Sequence, residues 1–346
     1  MLISLFILLA CSALVLWRAR LTQDGQFFFS KDYTTVLKGL CSIVVVFVHI
    51  PLDKGNSIQD AVGSFGYICV TLFFMFSAYG LSWSMNSKRG YLNNFLKNRV
   101  VVLLMPFTIV ALLKWILGIN IGSGGTYFVF VLTIFYSVFY LAKKFIAPKY
   151  QDVLICGFVI AYSLTGQILG KNSVIAEIGL GWYCESLGFM YGIILFNLQK
   201  QYKKTTGSGI LVKSAILTIA SGLLGVLYIK YKYINFSGSY LLRIVLGISL
   251  ILLLFTVTSR IKLGNKPAIF LGNISYEVFL LHGLVLNILS KAAIIKSSGL
   301  YILAVIVLTI VLATGLNYID NQLIKRISGA RKNPLFTNQG YIENKV

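Results

Sequence analysis

Gly299–Tyr318 reads GLYILAVIVLTIVLATGLNY, twenty residues without one charged side chain. As a helix rising about 1.5 Å per residue, such a run crosses the roughly 30 Å hydrocarbon core of a bilayer. Ten further apolar segments of comparable length lie outward from it: 2–18, 34–52, 65–85, 100–119, 126–146, 152–170, 179–198, 210–229, 240–258 and 268–290. Backbone groups in lipid must pair within their own segment, so these runs predict helices and not strands of an open sheet. The expected fold class is all-α, a polytopic integral membrane bundle of about eleven transmembrane helices.

Composition points the same way. Of 346 residues, 57% are hydrophobic and 12% charged, about half the charged share of a soluble domain. Such a chain cannot cover a water-facing surface. A soluble enzyme, a disordered protein and a free nucleic-acid binder are excluded. The net charge of +21 reads as topology, because 23 of the 31 Lys and Arg fall in one alternate set of loops and 8 in the other. Basic loops face the cytoplasm. The expectation is a plasma-membrane protein with its N-terminus outside and its C-terminus cytoplasmic, which requires an odd number of spans. The five cysteines (Cys11, Cys41, Cys69, Cys156, Cys184) sit in apolar runs, with no CxxC spacing, so neither a metal site nor a disulfide is expected. Leu8-Leu9-Ala10-Cys11 has the look of a lipoprotein cleavage site, but no Lys or Arg precedes it, and the first run is read as a retained anchor.

Ionisable groups at membrane depth are costly, and each is a functional hypothesis. The chain has two histidines, His49 and His282, and both fall inside predicted spans. The carboxylates inside spans are Glu185 and Glu277, with Asp320 at a helix end. Lys38 and His49 share one helix, about 16 Å apart, with Lys38 near the inner face and His49 in the outer half. His49, Glu185 and His282 come to similar depth, although depth does not fix azimuth. A base with a carboxylate to orient it is the minimum kit for activating a hydroxyl. The plain alternatives are a satisfied structural histidine, and a glutamate bonded to a neighbouring helix. Lys97-Asn98-Arg99 opens the fourth segment, preceded by Lys88 and Arg89. It reads either as ordinary inner-face charge or as a phosphate site at a helix N-terminus. Gly181-Trp182-Tyr183 opens the seventh segment, as an interfacial aromatic anchor or the lining of a sugar site.

The motifs carry a resemblance. Leu37-Lys38-Gly39-Leu40 through His49 resembles the opening signature of the membrane acyltransferase-3 family, a basic residue followed some ten residues later by His. The helix from Gly66 through Val70, Leu72-Phe73-Phe74 and Ser77-Ala78-Tyr79 is similar to that family's G-x-x-V-x-L-F-F-x-x-S-G-Y/F helix. Phe95-Leu96-Lys97-Asn98-Arg99, ending at Met105-Pro106, resembles its basic F-x-x-x-R…P segment. Leu271-Gly272-Asn273-Ile274-Ser275-Tyr276 through His282 resembles its L-G-x-I-S-Y-x-x-Y-L-x-H helix. The matches fall in order across about residues 34–290. Lys38, Ala78 and Lys97 stand where the family pattern has Arg, Gly and Arg.

The resemblance implies a ten-helix core with one helix added in front. The expected divisions are 1–28 (extra helix and linker), 29–320 (acyltransferase-3-like membrane domain) and 321–346 (cytoplasmic tail). It implies transfer of an acyl group, commonly acetyl, from acetyl-CoA or another acyl-CoA to a hydroxyl of a cell-surface or lipid-linked glycan, with no metal and no nucleic acid involved. It makes His49 catalytic, as general base on the sugar hydroxyl or through a transient acyl-imidazole, and Lys38, Lys97 and Arg99 donor-binding. His282 and Glu185 are its candidate catalytic companions, with Glu185 or Glu277 orienting an imidazole. Trp182, Tyr183 and Glu277 are candidates for the substrate site. Oligomeric state stays open, a homodimer included. Two rival readings are a transporter or flippase for a polyprenyl-linked glycan or anion, and a non-catalytic sensor or scaffold. The enzymatic reading requires His49 to face a cavity that communicates with the inner cations.

Overall fold

The computed structural model describes residues 2–22, 27–51, 56–120, 126–169, 180–205, 209–292, 295 and 297–328. In chain order the helices are α1 (Leu2–Leu16), α2 (Lys31–Val48), α3 (Ser57–Phe65), α4 (Tyr67–Ser87), α5 (Val101–Ile116), α6 (Thr126–Phe145) and α7 (Pro148–Leu169). They continue as α8 (Leu187–Thr205), α9 (Ile210–Tyr231), α10 (Arg243–Thr258), α11 (Lys266–Asn273), α12 (Ser275–Ala292) and α13 (Ser298–Ser328). Two short strands, β1 (Arg20–Leu21) and β2 (Ile261–Lys262), pair antiparallel. The protein is an all-α polytopic membrane protein, and each apolar segment of the sequence carries a helix.

Among the described residues six helical units are long and apolar enough to cross a membrane, α3 and α4 together counting as one, and a seventh if the bent pair α11–α12 is one span; α1, α5 and part of α8 are apolar but shorter. α9 stands at the periphery, with only 6% of its apolar window buried and Leu211, Ile219 and Val226 facing outward. α2 is the opposite case. It carries Lys31, Asp32 and Lys38, yet Thr34, Thr35, Lys38 and Ser42 are all buried. Polar residues on a central helix face protein instead of lipid, so α2 forms the axis of the core. Ser30 caps it, its side chain accepting from the Tyr33 amide at 3.2 Å, and Asp32 favours the first-turn dipole.

Close helix contacts are made through glycine. A Cβ on Gly272 would run into the Thr35 carbonyl, and one on Gly39 would lie 2.7 Å from the Gly272 amide nitrogen. α2 and α11 therefore touch backbone to backbone. Gly188 and Gly192, four residues apart on α8, lie in the same way on the Thr71 and Met75 carbonyls of α4, the small-residue packing common between membrane helices.

Two expected helices are interrupted. Residues 268–290 do not form one rod: α11 and α12 meet at Ile274 with a 63° bend. Gly272 is pinned against α2, and its carbonyl accepts from Ser275 Oγ at 2.7 Å. Segment 179–198 does not begin as an α-helix either. Leu180–Trp182 form a 3₁₀ turn, residues 183–186 continue as turns, and α8 starts at Leu187. The expected tail at 321–346 starts as helix, since α13 runs to Ser328; its remainder lies outside the described residues. The added front helix is docked. Asn265 Nδ2 donates to the Leu14 and Trp17 carbonyls at 2.7 and 2.9 Å, Asn56 Nδ2 donates to Ser4 Oγ at 2.7 Å, and β1 joins β2.

Candidate active site

His49 stands at the C-terminal end of α2, exposed, where a helix leaves its last carbonyls unpaired. Buried Gln59 of α3 fixes that end, its Nε2 donating to the Phe47 and Ile50 carbonyls at 3.0 and 3.2 Å. His282 lies in the middle of α12 and is buried. The two rings face each other with centroids 4.8 Å apart. Azimuth, which sequence could not supply, brings both histidines of the chain together.

Their tautomers follow from geometry. His49 Nδ1 lies 2.8 Å from the Val45 carbonyl oxygen, and His282 Nδ1 lies 2.7 Å from that of Phe279. A carbonyl only accepts, so each Nδ1 carries the proton and each Nε2 keeps its lone pair. His282 Nε2 is buried and has no hydrogen-bond partner among the described residues. Backbone carbonyls thus do the orienting that the sequence reading assigned to a carboxylate. Lys114, near the end of α5, is buried within electrostatic reach of His282.

Glu185, the candidate carboxylate for orienting an imidazole, has a different partner here. It sits on the turn before α8, not on a helix face, and its Oε1 accepts from Arg243 and not from an imidazole. The Arg243 guanidinium lies 4.6 Å over the Tyr67 ring, whose hydroxyl donates to the Arg243 carbonyl at 3.1 Å. A π-helical turn, Ser237–Leu242, delivers Arg243 and Tyr240 to this place. Such turns interrupt helices frequently at functional sites. Tyr183 joins the same cluster, its ring 6.1 Å from Tyr240, and Ser163 Oγ donates to the Tyr183 carbonyl at 2.6 Å. Trp182 is partly buried beside them. Glu185 Oε2 and Arg243 Nε stay buried without a hydrogen-bond partner among the described residues.

Toward the opposite end of α2 is a cavity of about 70 Å³. Thr35, Lys38, Ser77, Asn273, Ser275 and Glu277 supply its polar lining. Glu277 lies in the first turn of α12, where Oε1 accepts from Asn317 Nδ2 at 2.8 Å. It is therefore a companion of Lys38 in the cavity. The histidines do not line the cavity. The expected opening of His49 onto the cavity of the inner cations is therefore not seen in this cavity; Phe279, which does line it, has its ring 5.8 Å from that of His282.

A second π-helical turn, Leu96–Val100, carries the basic motif. Arg99 is buried, donating from Nε to the Tyr91 hydroxyl at 2.5 Å and from Nη2 to Ser84 Oγ at 2.9 Å. Lys88, just beyond α4, has its pKa lowered by partial burial and then by the Arg99 charge, so the two share one positive field. The Lys97 backbone is on the same turn; its side chain lies outside the described residues.

These residues sit within a stretch matched by a known family: its acyltransferase domain covers residues 32–318. The chain belongs to the acyltransferase-3 family. No curated protein and no solved structure matches it significantly. As an acyltransferase it handles an acyl donor and an acceptor, and the match spans both histidines, the Lys38 cavity and the Arg99 turn. The helix added in front, α1, stands outside it.

Sequence reading missed several members of the site. Arg243 counted only as outer-loop charge, although an arginine within the apolar run 240–258 is itself a signal. Tyr91 and Ser84, which hold Arg99, and Asn317, which holds Glu277, carry no motif. They are legible only in three dimensions.

Proposed function

We propose that this acyltransferase moves an acyl group, most simply acetyl, from cytoplasmic acyl-coenzyme A to a hydroxyl of a cell-surface or lipid-linked glycan. It works in the plasma membrane with its N-terminus outside and its C-terminus in the cytoplasm. The observation that carries this reading is the His49–His282 pair, each Nδ1 proton held by a backbone carbonyl, at the far end of the helix that puts Lys38 into the polar cavity.

His49 is exposed and keeps a free lone pair on Nε2, so it is the general base. The acceptor hydroxyl gives its proton to Nε2, and the oxygen attacks the thioester carbonyl. The new C–O bond forms, the C–S bond breaks as the tetrahedral intermediate collapses, and the coenzyme A thiolate leaves with the proton from the imidazolium. His282 positions His49. Arg99, Lys97 and Lys38 take the donor's side. Arg99 is buried and its bonds go to neutral hydroxyls, with no carboxylate at ion-pair distance among the described residues. A buried cation is costly without a counter-charge, and a phosphate supplies one with charge-assisted bonds. Trp182, Tyr183 and the Glu185–Arg243 pair border the acceptor's side, where rings and paired charges suit a polyol.

Mass spectrometry of surface glycans from cells with and without the full chain tests the reading. The glycans gain the mass of one acyl group only when the chain is present. His49→Ala inserts normally and loses transfer by about 100-fold or more, the usual worth of a positioned base. Undiminished acylation by that variant removes His49 from the mechanism.

A further inference from the structure

Three rings drawn from three helices line the apolar part of the Lys38 cavity: Phe73 of α4, Phe128 of α6 and Phe279 of α12. Their centroids are 6.4 Å apart for Phe73–Phe128, 5.9 Å for Phe73–Phe279 and 4.8 Å for Phe128–Phe279. All three are buried. At these spacings the rings are in mutual contact, and no chain passes between them unless one turns aside. Phe279 also adjoins the histidine pair: its ring lies 5.8 Å from that of His282, and its carbonyl holds His282 Nδ1.

The ring cluster thus lines the cavity that holds Lys38 and, through Phe279, adjoins the imidazole pair. We infer that Phe73, Phe128 and Phe279 form an aromatic sieve that sets the length of the acyl chain this protein accepts. The inference rests on the acyl-transfer reading above. A cavity of about 70 Å³ holds a few water-sized groups at one probe sphere of about 10–15 Å³ each. Its size favours a two-carbon acyl group over a long one. Phe128 is the central element, since it touches both other rings and also Phe74, with centroids 4.8 Å apart. Packed interiors yield little to an added methylene, so selection falls on chain length and not on polarity.

The test uses membranes from cells making the full chain, supplied with acetyl-, butyryl- or hexanoyl-coenzyme A labelled in the acyl group. Label entering the glycan fraction is read as the acetyl-to-butyryl ratio, which is independent of how much protein is present. The wild type strongly prefers acetyl. Phe128→Ala and Phe73→Ala lower that ratio by about tenfold or more, in line with the discrimination an apolar pocket achieves per methylene. Phe128→Leu and Phe73→Leu lower it by less, and they carry the test if the alanine variants fail to insert. Phe158→Ala, a change on the exposed face of α7, leaves the ratio as it was. An unchanged ratio in the Phe128 and Phe73 variants, with an active wild type, overturns the sieve alone. A wild type that transfers no label from any donor overturns the acyl-transfer reading and the sieve with it.

Discussion

His49 and His282 owe their chemistry to two backbone carbonyls, and this separates the site from one built on a carboxylate and an imidazole. A carboxylate beside His49 would stabilise the imidazolium and raise the basicity of Nε2. A carbonyl fixes the tautomer and the ring without adding a charge. The buried carboxylate nearest that role in the sequence, Glu185, neutralises Arg243 instead. Breaking a buried pair leaves one charge uncompensated at a cost of about 3–5 kcal/mol, whereas replacing both partners is far milder. Glu185→Leu alone therefore lowers stability by about 3 kcal/mol, discounted somewhat because Arg243 is partly exposed. Glu185→Leu with Arg243→Met recovers much of that loss. Thermal unfolding of the detergent-solubilised variants measures both. Equal losses in the single and double variants contradict the pairing.

At the scale of elements, α2 is the part on which the rest is aligned. Its lower half supplies Lys38, its upper end supplies His49, and Gly39 lets α11 lie against it. The bend at Ile274 then aims α12 so that Glu277 enters the cavity and His282 meets His49. Gly272→Ala tests this arrangement. Alanine gains about 1 kcal/mol in helix propensity, but its Cβ collides with the Thr35 backbone, which cannot swing aside as a side chain would. Overpacking of this kind costs about 1–3 kcal/mol and wins. The variant should unfold at lower temperature and lose activity, and a wild-type melting curve with full activity counts against the contact. Hydropathy alone located the helices. The break in 268–290 was not legible, because its cause is a contact with residue 35, far away in sequence. The turn around Glu185 escaped for a similar reason. An apolar run tells where backbone must be buried, and says little about where a helix starts within it. His49, Lys38 and Arg99 stood out as costly residues in apolar surroundings, while their partners Tyr91, Ser84 and Asn317 are ordinary residue types whose roles arise only from packing.

Across the whole molecule, cations and histidines lie at different levels of one bundle, and the charge bias of the loops is the ground on which we propose that those levels belong to opposite leaflets. The front helix α1 is tied to the core through Asn265 and the β1–β2 pair, so it belongs to the same body. The Lys38 cavity and its ring cluster adjoin the histidine level through Phe279. Acyl transfer from one face to the other is the central claim, and a sided assay in proteoliposomes addresses it most directly. Acetyl-coenzyme A labelled in the acyl group is supplied only to the face that carries the C-terminus, and the glycan acceptor only to the other. Label appears in the glycan with the wild type and falls by about 100-fold or more with His49→Ala. Label that reaches the glycan equally well in the variant, or only when donor and acceptor share one face, contradicts the account.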